Sequence, residues 1–136
     1  MTEPTATGVQ LAVNGTLMRG FPLNDNLLAL GATFVRTDRT APVYRLWSIR
    51  GEHPAMIRVT DGSGTSVEVE VWNVPLDALA HILRREPEGL ALGKVHLADG
   101  DTMLGVLAEP ALVEDAPEIT EFGGWRAYLT YDRRAE

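Results

Sequence analysis

Apolar and polar residues alternate most plainly over Thr65–Val74, where Val67, Val69 and Val71 interleave with Glu68, Glu70 and Trp72. A period of two predicts a β-strand with one apolar face and one face carrying two carboxylates. Acids two apart on a strand can do acid–base work, but the ordinary expectation is a solvated face. Pro75 then opens a helix, where its missing N–H costs nothing. Leu76, Leu79, Ala80 and Leu83 follow at i, i+3, i+4 and i+7, which predicts one buried stripe with His81 off it. Arg84 and Arg85 suit the negative end of the helix dipole, and Glu86-Pro87-Glu88-Gly89 ends the helix.

The remaining elements are read the same way. Val9–Val13 is an apolar run that predicts a buried strand. Asn24 is placed to cap a short helix carrying Leu27, Leu28 and Leu30, with Gly31 at its end. Ala32–Arg36 predicts a strand with Phe34 in the core, and Thr37–Pro42 a polar connection. Val43–Ile49 predicts a strand that turns Tyr44, Leu46 and Ser48 one way, leaving Arg45 on the other face to snorkel at a rim or reach a pocket. Glu52–Met56 reads as a loop, and Asp61-Gly62-Ser63-Gly64 as a turn. Asp99-Gly100 marks a hairpin between Lys94–Ala98 and Asp101–Leu107. Thr120 is placed to cap a last helix bearing Trp125, Tyr128 and Leu129. Gly123 and Gly124 would cost that helix roughly 1 kcal/mol each relative to Ala. Strands outnumber helices, so the fold class is α+β with a strongly curved or barrel-like mixed sheet.

The chain has 136 residues, enough for one domain with a real core, here placed at 9–131 between a loose N-terminus (1–8) and a short tail (132–136). It is 45% hydrophobic and 23% charged, as soluble globular proteins are. A net charge of −7 argues against nucleic acid, which needs a clustered basic surface. The lack of cysteine removes disulfides, a thiolate nucleophile and iron–sulfur chemistry, and fits a reducing cytoplasm. No apolar run is long enough to span a membrane. His53, His81 and His96 are dispersed without ligand spacing, so neither a metal nor any other cofactor is expected.

Candidate chemistry collects around Asn14-Gly15-Thr16-Leu17-Met18-Arg19, just after the first strand. A Gly-Thr turn there can present consecutive backbone N–H groups to a small anion, and Arg19 can add a bidentate positive charge. The plainer alternative is an ordinary strand-to-helix turn.

The order of first strand, Asn14-Gly15-Thr16, alternating strand, helix and Glu88-Gly89 resembles the gamma-glutamylcyclotransferase-like family. That family has a Tyr-Gly-Ser loop after its first strand and a catalytic Glu in a Glu-Gly turn. A resemblance covering nearly the whole chain is to the C-terminal domain of allophanate hydrolases and its stand-alone relatives, which share that fold. It is carried by Gly20-Phe21-Pro22-Leu23-Asn24, Gly31-Ala32-Thr33-Phe34-Val35-Arg36, Thr40–Leu46, Val69-Glu70-Val71-Trp72 and Gly123-Gly124-Trp125-Arg126-Ala127-Tyr128.

The resemblance implies a cyclotransferase-like barrel with a small-molecule pocket at its mouth. Glu88 would move a proton, and Asn14, Gly15, Thr16, Leu17, Arg19, Tyr44 and Arg126 would bind the substrate. It further implies an enzyme of nitrogen metabolism acting on a small carboxylated amide or urea-derived anion in a decarboxylation-like step, with a separate amidase as a possible partner. Two alternatives stand beside it: intramolecular acyl transfer of the cyclotransferase type, and a non-catalytic module that binds a metabolite or a partner. The allophanate hydrolase relatives carry a His in this loop within a Gly-Ala-His-Leu string, and here that position is Leu17.

Overall fold

A computed structural model describes residues 8–135, so residues 1–7 of the expected loose N-terminus and residue 136 lie outside the described residues. Seven strands and three α-helices follow in the order β1 (Gly8–Val13), α1 (Asn24–Ala29), β2 (Thr33–Arg39), β3 (Tyr44–Ile49), β4 (His53–Arg58), β5 (Glu68–Pro75), α2 (Leu76–Arg85), β6 (Leu90–His96), β7 (Thr102–Ala108) and α3 (Trp125–Ala135). Two short 3-10 turns, Pro110–Val113 and Thr120–Phe122, precede α3. The helix α3 runs on past residue 131 through Ala135.

Five strands make one mixed sheet in the order β2-β5-β1-β7-β6, and β3 and β4 form a separate antiparallel hairpin. The first strand lies antiparallel to β5 and parallel to β7. The two outer strands meet at one corner: Thr40 bridges Leu97, Ala41 N–H donates to the His96 carbonyl at 2.9 Å, and Ala98 N–H donates to the Arg39 carbonyl at 3.0 Å. This closes the sheet into the curved, barrel-like α+β architecture expected, and removes part of both exposed edges. Leu11, Met18, Leu27, Tyr44, Leu46, Val69, Trp72 and Trp125 are fully buried in its core.

Several local expectations change. The solvated face of β5 is the largest correction: Glu70 is 1% exposed and Trp72 is buried beside it, because β5 lies between two strands and is covered on both faces. Phe34 is not a core residue but sits at the surface, edge-on to Trp72 with the Arg19 guanidinium 3.7 Å above its ring. A register shift between Phe34 and Arg36 breaks the alternation of β2, which continues through Thr37–Arg39 where a polar connection was expected.

The buried stripe of α2 is Ala78 and Ile82 with Leu79 half-buried, whereas Leu76 and Leu83 are exposed. Asn24 does not cap α1; Leu23 occupies that place, and the Asn24 amide donates instead to the Leu17 carbonyl at 2.8 Å. Glu52–Met56 is largely the strand β4 rather than a loop, and it tolerates Pro54 because β4 has a strand neighbour, β3, on one side only. The two glycines precede α3 rather than interrupt it. Gly123 turns the chain at φ +70°, and Thr120 receives the Leu46 N–H at 3.0 Å instead of capping the helix. Arg45 pairs with Glu118 at 2.9 Å across the outer face of β3, so it snorkels, and that contact holds the Glu118 carboxyl below its ordinary range.

Candidate functional site

Beyond Val13 the chain leaves β1 and turns. The Asn14 side chain takes over from the strand ladder and donates to the Val106 carbonyl of β7 at 3.0 Å. Met18 N–H closes the turn onto the Gly15 carbonyl at 3.0 Å, and Leu23 N–H returns to the Thr16 carbonyl at 3.0 Å. Gly15 is required because Pro54 of β4 lies against it: a Cβ there would stand 2.5 Å from the Pro54 Cδ. Loop, β4 and β7 are thereby locked together around a small, partly open cavity with a volume of about 20 Å³. It is lined by Val13, Asn14, Gly15, Thr16, Leu17, His53, Pro54, Glu86, Leu90 and Val106.

Two ionisable side chains enter this largely apolar space. Glu86 caps the C-terminal end of α2, and burial pushes its carboxyl from an ordinary 4.5 up to about 7. The end of a helix disfavours negative charge as well, which acts in the same direction. An acid near 7 holds or releases a proton with almost equal ease at neutral pH, the condition for general acid–base work. His53, 5% exposed, comes from the start of β4. Its Nδ1 lies 3.0 Å from the Pro54 carbonyl, and its buried Nε2 has no hydrogen-bond partner. Among the described residues no cluster of three or more metal-ligating groups occurs.

The residues expected from the sequence divide into two sets. Asn14, Gly15, Thr16 and Leu17 line the cavity. Glu88 does not: it is exposed beyond Pro87, and Glu86 occupies the place expected of it. Arg19 and Arg126 are drawn to Glu70. The Glu70 carboxylate receives Arg19 N–H at 2.9 Å, Arg19 Nε at 3.2 Å, Arg126 Nη2 at 3.1 Å and Trp72 Nε1 at 3.1 Å. Tyr44 is wholly buried, and its hydroxyl receives the His96 N–H at 2.8 Å. Sequence reasoning missed Glu86 and His53. A signal for Glu86 was present, because Ala78, Ile82 and Glu86 fall at i, i+4 and i+8, on one helix face.

The corner-closed sheet with an acid-bearing cavity beside its first strand places the protein in the gamma-glutamylcyclotransferase-like fold. An AIG2-like protein of Mus musculus shares that fold, with a TM-score of 0.62 and 19% identity over 84% of this chain and 87% of that one. Residues 9–130 match the allophanate hydrolase C-terminal domain model, and the chain belongs to that family. It is 30% identical to the urea amidolyase of Saccharomyces cerevisiae over 96% of this chain and 8% of that protein. It thus spans less than a tenth of the curated relatives it matches. Among solved structures it is similar to a uropathogenic E. coli-specific protein, at 57% identity and a TM-score of 0.89 over 92% of this chain and 98% of that one. It is also similar to the Kluyveromyces lactis allophanate hydrolase, at 30% identity and a TM-score of 0.88 over 97% of this chain and 22% of that one. In that last relative the domain is thus a minor part of a longer chain. No described helix is long and apolar enough to cross a membrane.

Proposed function

We propose that the cavity between the Asn14–Leu17 loop, β4 and the end of α2 is a small-molecule acid–base site in which Glu86 moves the proton. Its substrate would be a small carboxylated amide or urea-derived anion of nitrogen metabolism, processed in a decarboxylation-like step. The single observation behind this reading is a carboxyl held near 7 in an apolar cavity, beside the turn that follows β1. Membership in the allophanate hydrolase C-terminal domain family supports the substrate class.

The groups in the cavity make sense of an anionic ligand without a cation. Protonated Glu86 can donate a hydrogen bond to a ligand carboxylate without adding a like charge, and desolvation strengthens that bond. The loop Asn14, Gly15, Thr16 and Leu17 would enclose the ligand. An amidase-type activity, from another protein or another segment of a longer chain, would supply it.

Binding without turnover is the second reading, and Leu17, which carries no proton-transfer group at the relatives' His position, favours it. Calorimetric titration of malonamate, a stable amide carboxylate, into wild type and Glu86→Gln tests the site. The expected result is binding that weakens as pH rises above 7 in wild type and loses that dependence in the variant. Equal affinity in both proteins across pH 6–8 would remove Glu86 from the site. Turnover of carboxylated ureas, followed as released carbon dioxide, separates the enzyme from the binding module.

A further inference from the structure

His53 is the second ionisable group of the same cavity, and its surroundings fix what it can offer. A backbone carbonyl only accepts hydrogen bonds, so the ring nitrogen 3.0 Å from the Pro54 oxygen must be the one carrying hydrogen. In the neutral imidazole this leaves Nε2 as a bare acceptor. Nε2 is buried and unpartnered, and His53 is one of the residues that line the cavity. A buried polar atom without a partner costs stability unless a ligand or water meets it. The wall does not meet it: Val13, Leu17, Leu90 and Val106 are apolar, the Asn14 amide already donates to Val106, and neither Thr16 nor Glu86 hydrogen-bonds to it. Among the described residues no Arg or Lys lines the cavity.

We propose that His53 Nε2 is a specificity-determining acceptor that takes an N–H from the substrate, so that the cavity selects the amide end of its ligand. This rests on the reading of the cavity as a small-molecule site and adds an orientation to it. The amide N–H faces β4 and His53, while the ligand's carbonyl or carboxylate oxygens face Glu86 at the end of α2. Selection of this kind is strong when a buried acceptor would otherwise stay unpaired, because a ligand lacking the donor leaves it so. A dicarboxylate of the same length offers only lone pairs to Nε2 and is rejected.

Two measurements test this on the full chain. The first needs no ligand: nitrogen-15 shifts of the His53 ring, read in a long-range proton–nitrogen correlation spectrum, should report hydrogen on Nδ1 and none on Nε2. Hydrogen on Nε2 in the neutral ring would overturn the proposal. The second compares malonamide, malonamate and malonate as calorimetric probes of wild type, His53→Leu and Glu86→Gln. Wild type should prefer the two amide-bearing probes over malonate by roughly tenfold or more, the value of one unmade buried hydrogen bond. His53→Leu should lose the preference.

A preference that survives in His53→Leu but falls in Glu86→Gln overturns the role of His53 and leaves the Glu86 reading intact. Binding unchanged in both variants, or absent in wild type, overturns both. If His53→Leu fails to fold, the ring shifts of wild type on adding malonamide decide: Nε2 should move and Nδ1 should hardly move, and an unmoved Nε2 contradicts the assignment.

Discussion

Glu70 on β5 and Glu86 at the end of α2 are both withdrawn from water, one against four hydrogen-bond donors and the other against Val13, Leu17, Leu90 and Val106. Around Glu70, Arg19, Arg126 and the Trp72 indole N–H replace the lost water. It ties the loop after β1 to β5 and α3, which are distant in sequence. Glu86 has no such partners, and its charged form is disfavoured. The two arginines that could have met an anion are spent on the structural acid, so the cavity is left to work with a titrating carboxyl and an imidazole. Chemistry in this protein is expected where a polar group is left unpaired, not where charges are densest.

The largest effect that would break this comparison is removal of the structural acid. Glu70→Ala should destabilise the fold by about 3 kcal/mol, the lower end for breaking a buried pair, since both guanidiniums are partly exposed and can turn to water. Chemical denaturation measures it, and a change under 1 kcal/mol would show that Glu70 anchors nothing.

Glu86 should act in the opposite direction and depend on pH. Below about 4.5 folded and unfolded chains both hold its proton. Between 4.5 and about 7 the folded chain keeps the proton that the unfolded chain releases, so stability falls as pH rises. The full effect, on the order of 2–3 kcal/mol, is present above 7. Glu86→Gln should therefore be more stable than wild type at pH 8 and nearly equal to it at pH 4. Urea melts at the two pH values check this.

Gly15→Ala sets a Cβ against Pro54 and should cost roughly 1–3 kcal/mol while narrowing the cavity. The check is a melt together with malonamate affinity, and an unaltered melt would mean that the loop and β4 move apart freely. The smallest effect concerns Arg19→Ala, which should change malonamate affinity less than about twofold, because Arg19 serves Glu70. A tenfold loss would bring the two regions into one site and dissolve the distinction between them.

Much of this was legible in the residues. The alternation through Val67, Val69 and Val71, and the Asp99-Gly100 turn, place β5 and the β6–β7 hairpin by local rules alone. The Asn14–Leu17 loop followed from the apolar run before it and the glycine within it. What failed depended on the far side of each element. Glu70 reads as solvated on an isolated strand, and only α3, which brings Arg126, together with the loop carrying Arg19, turns that face into an interior.

The helix α2 carries two overlapping periodic sets. Leu76 and Leu83 outweigh Ala78 and Ile82 in hydrophobicity, so the phase that leads to Glu86 was passed over. Glu88 was preferred for its neighbouring glycine, yet beyond the bend at Glu86 that ends α2 it is exposed, while Glu86 lines the cavity. His53 was out of reach once Glu52–Met56 read as a loop.

The most direct measurement is the titration of the Glu86 carboxyl itself, followed by carbon-13 shifts of labelled glutamate and assigned with Glu86→Gln. The expected midpoint is near 7, the value set by burial in the cavity, moving on addition of malonamate. A midpoint below about 5, unaffected by malonamate, would mean an ordinary solvated acid and would contradict the proposed site.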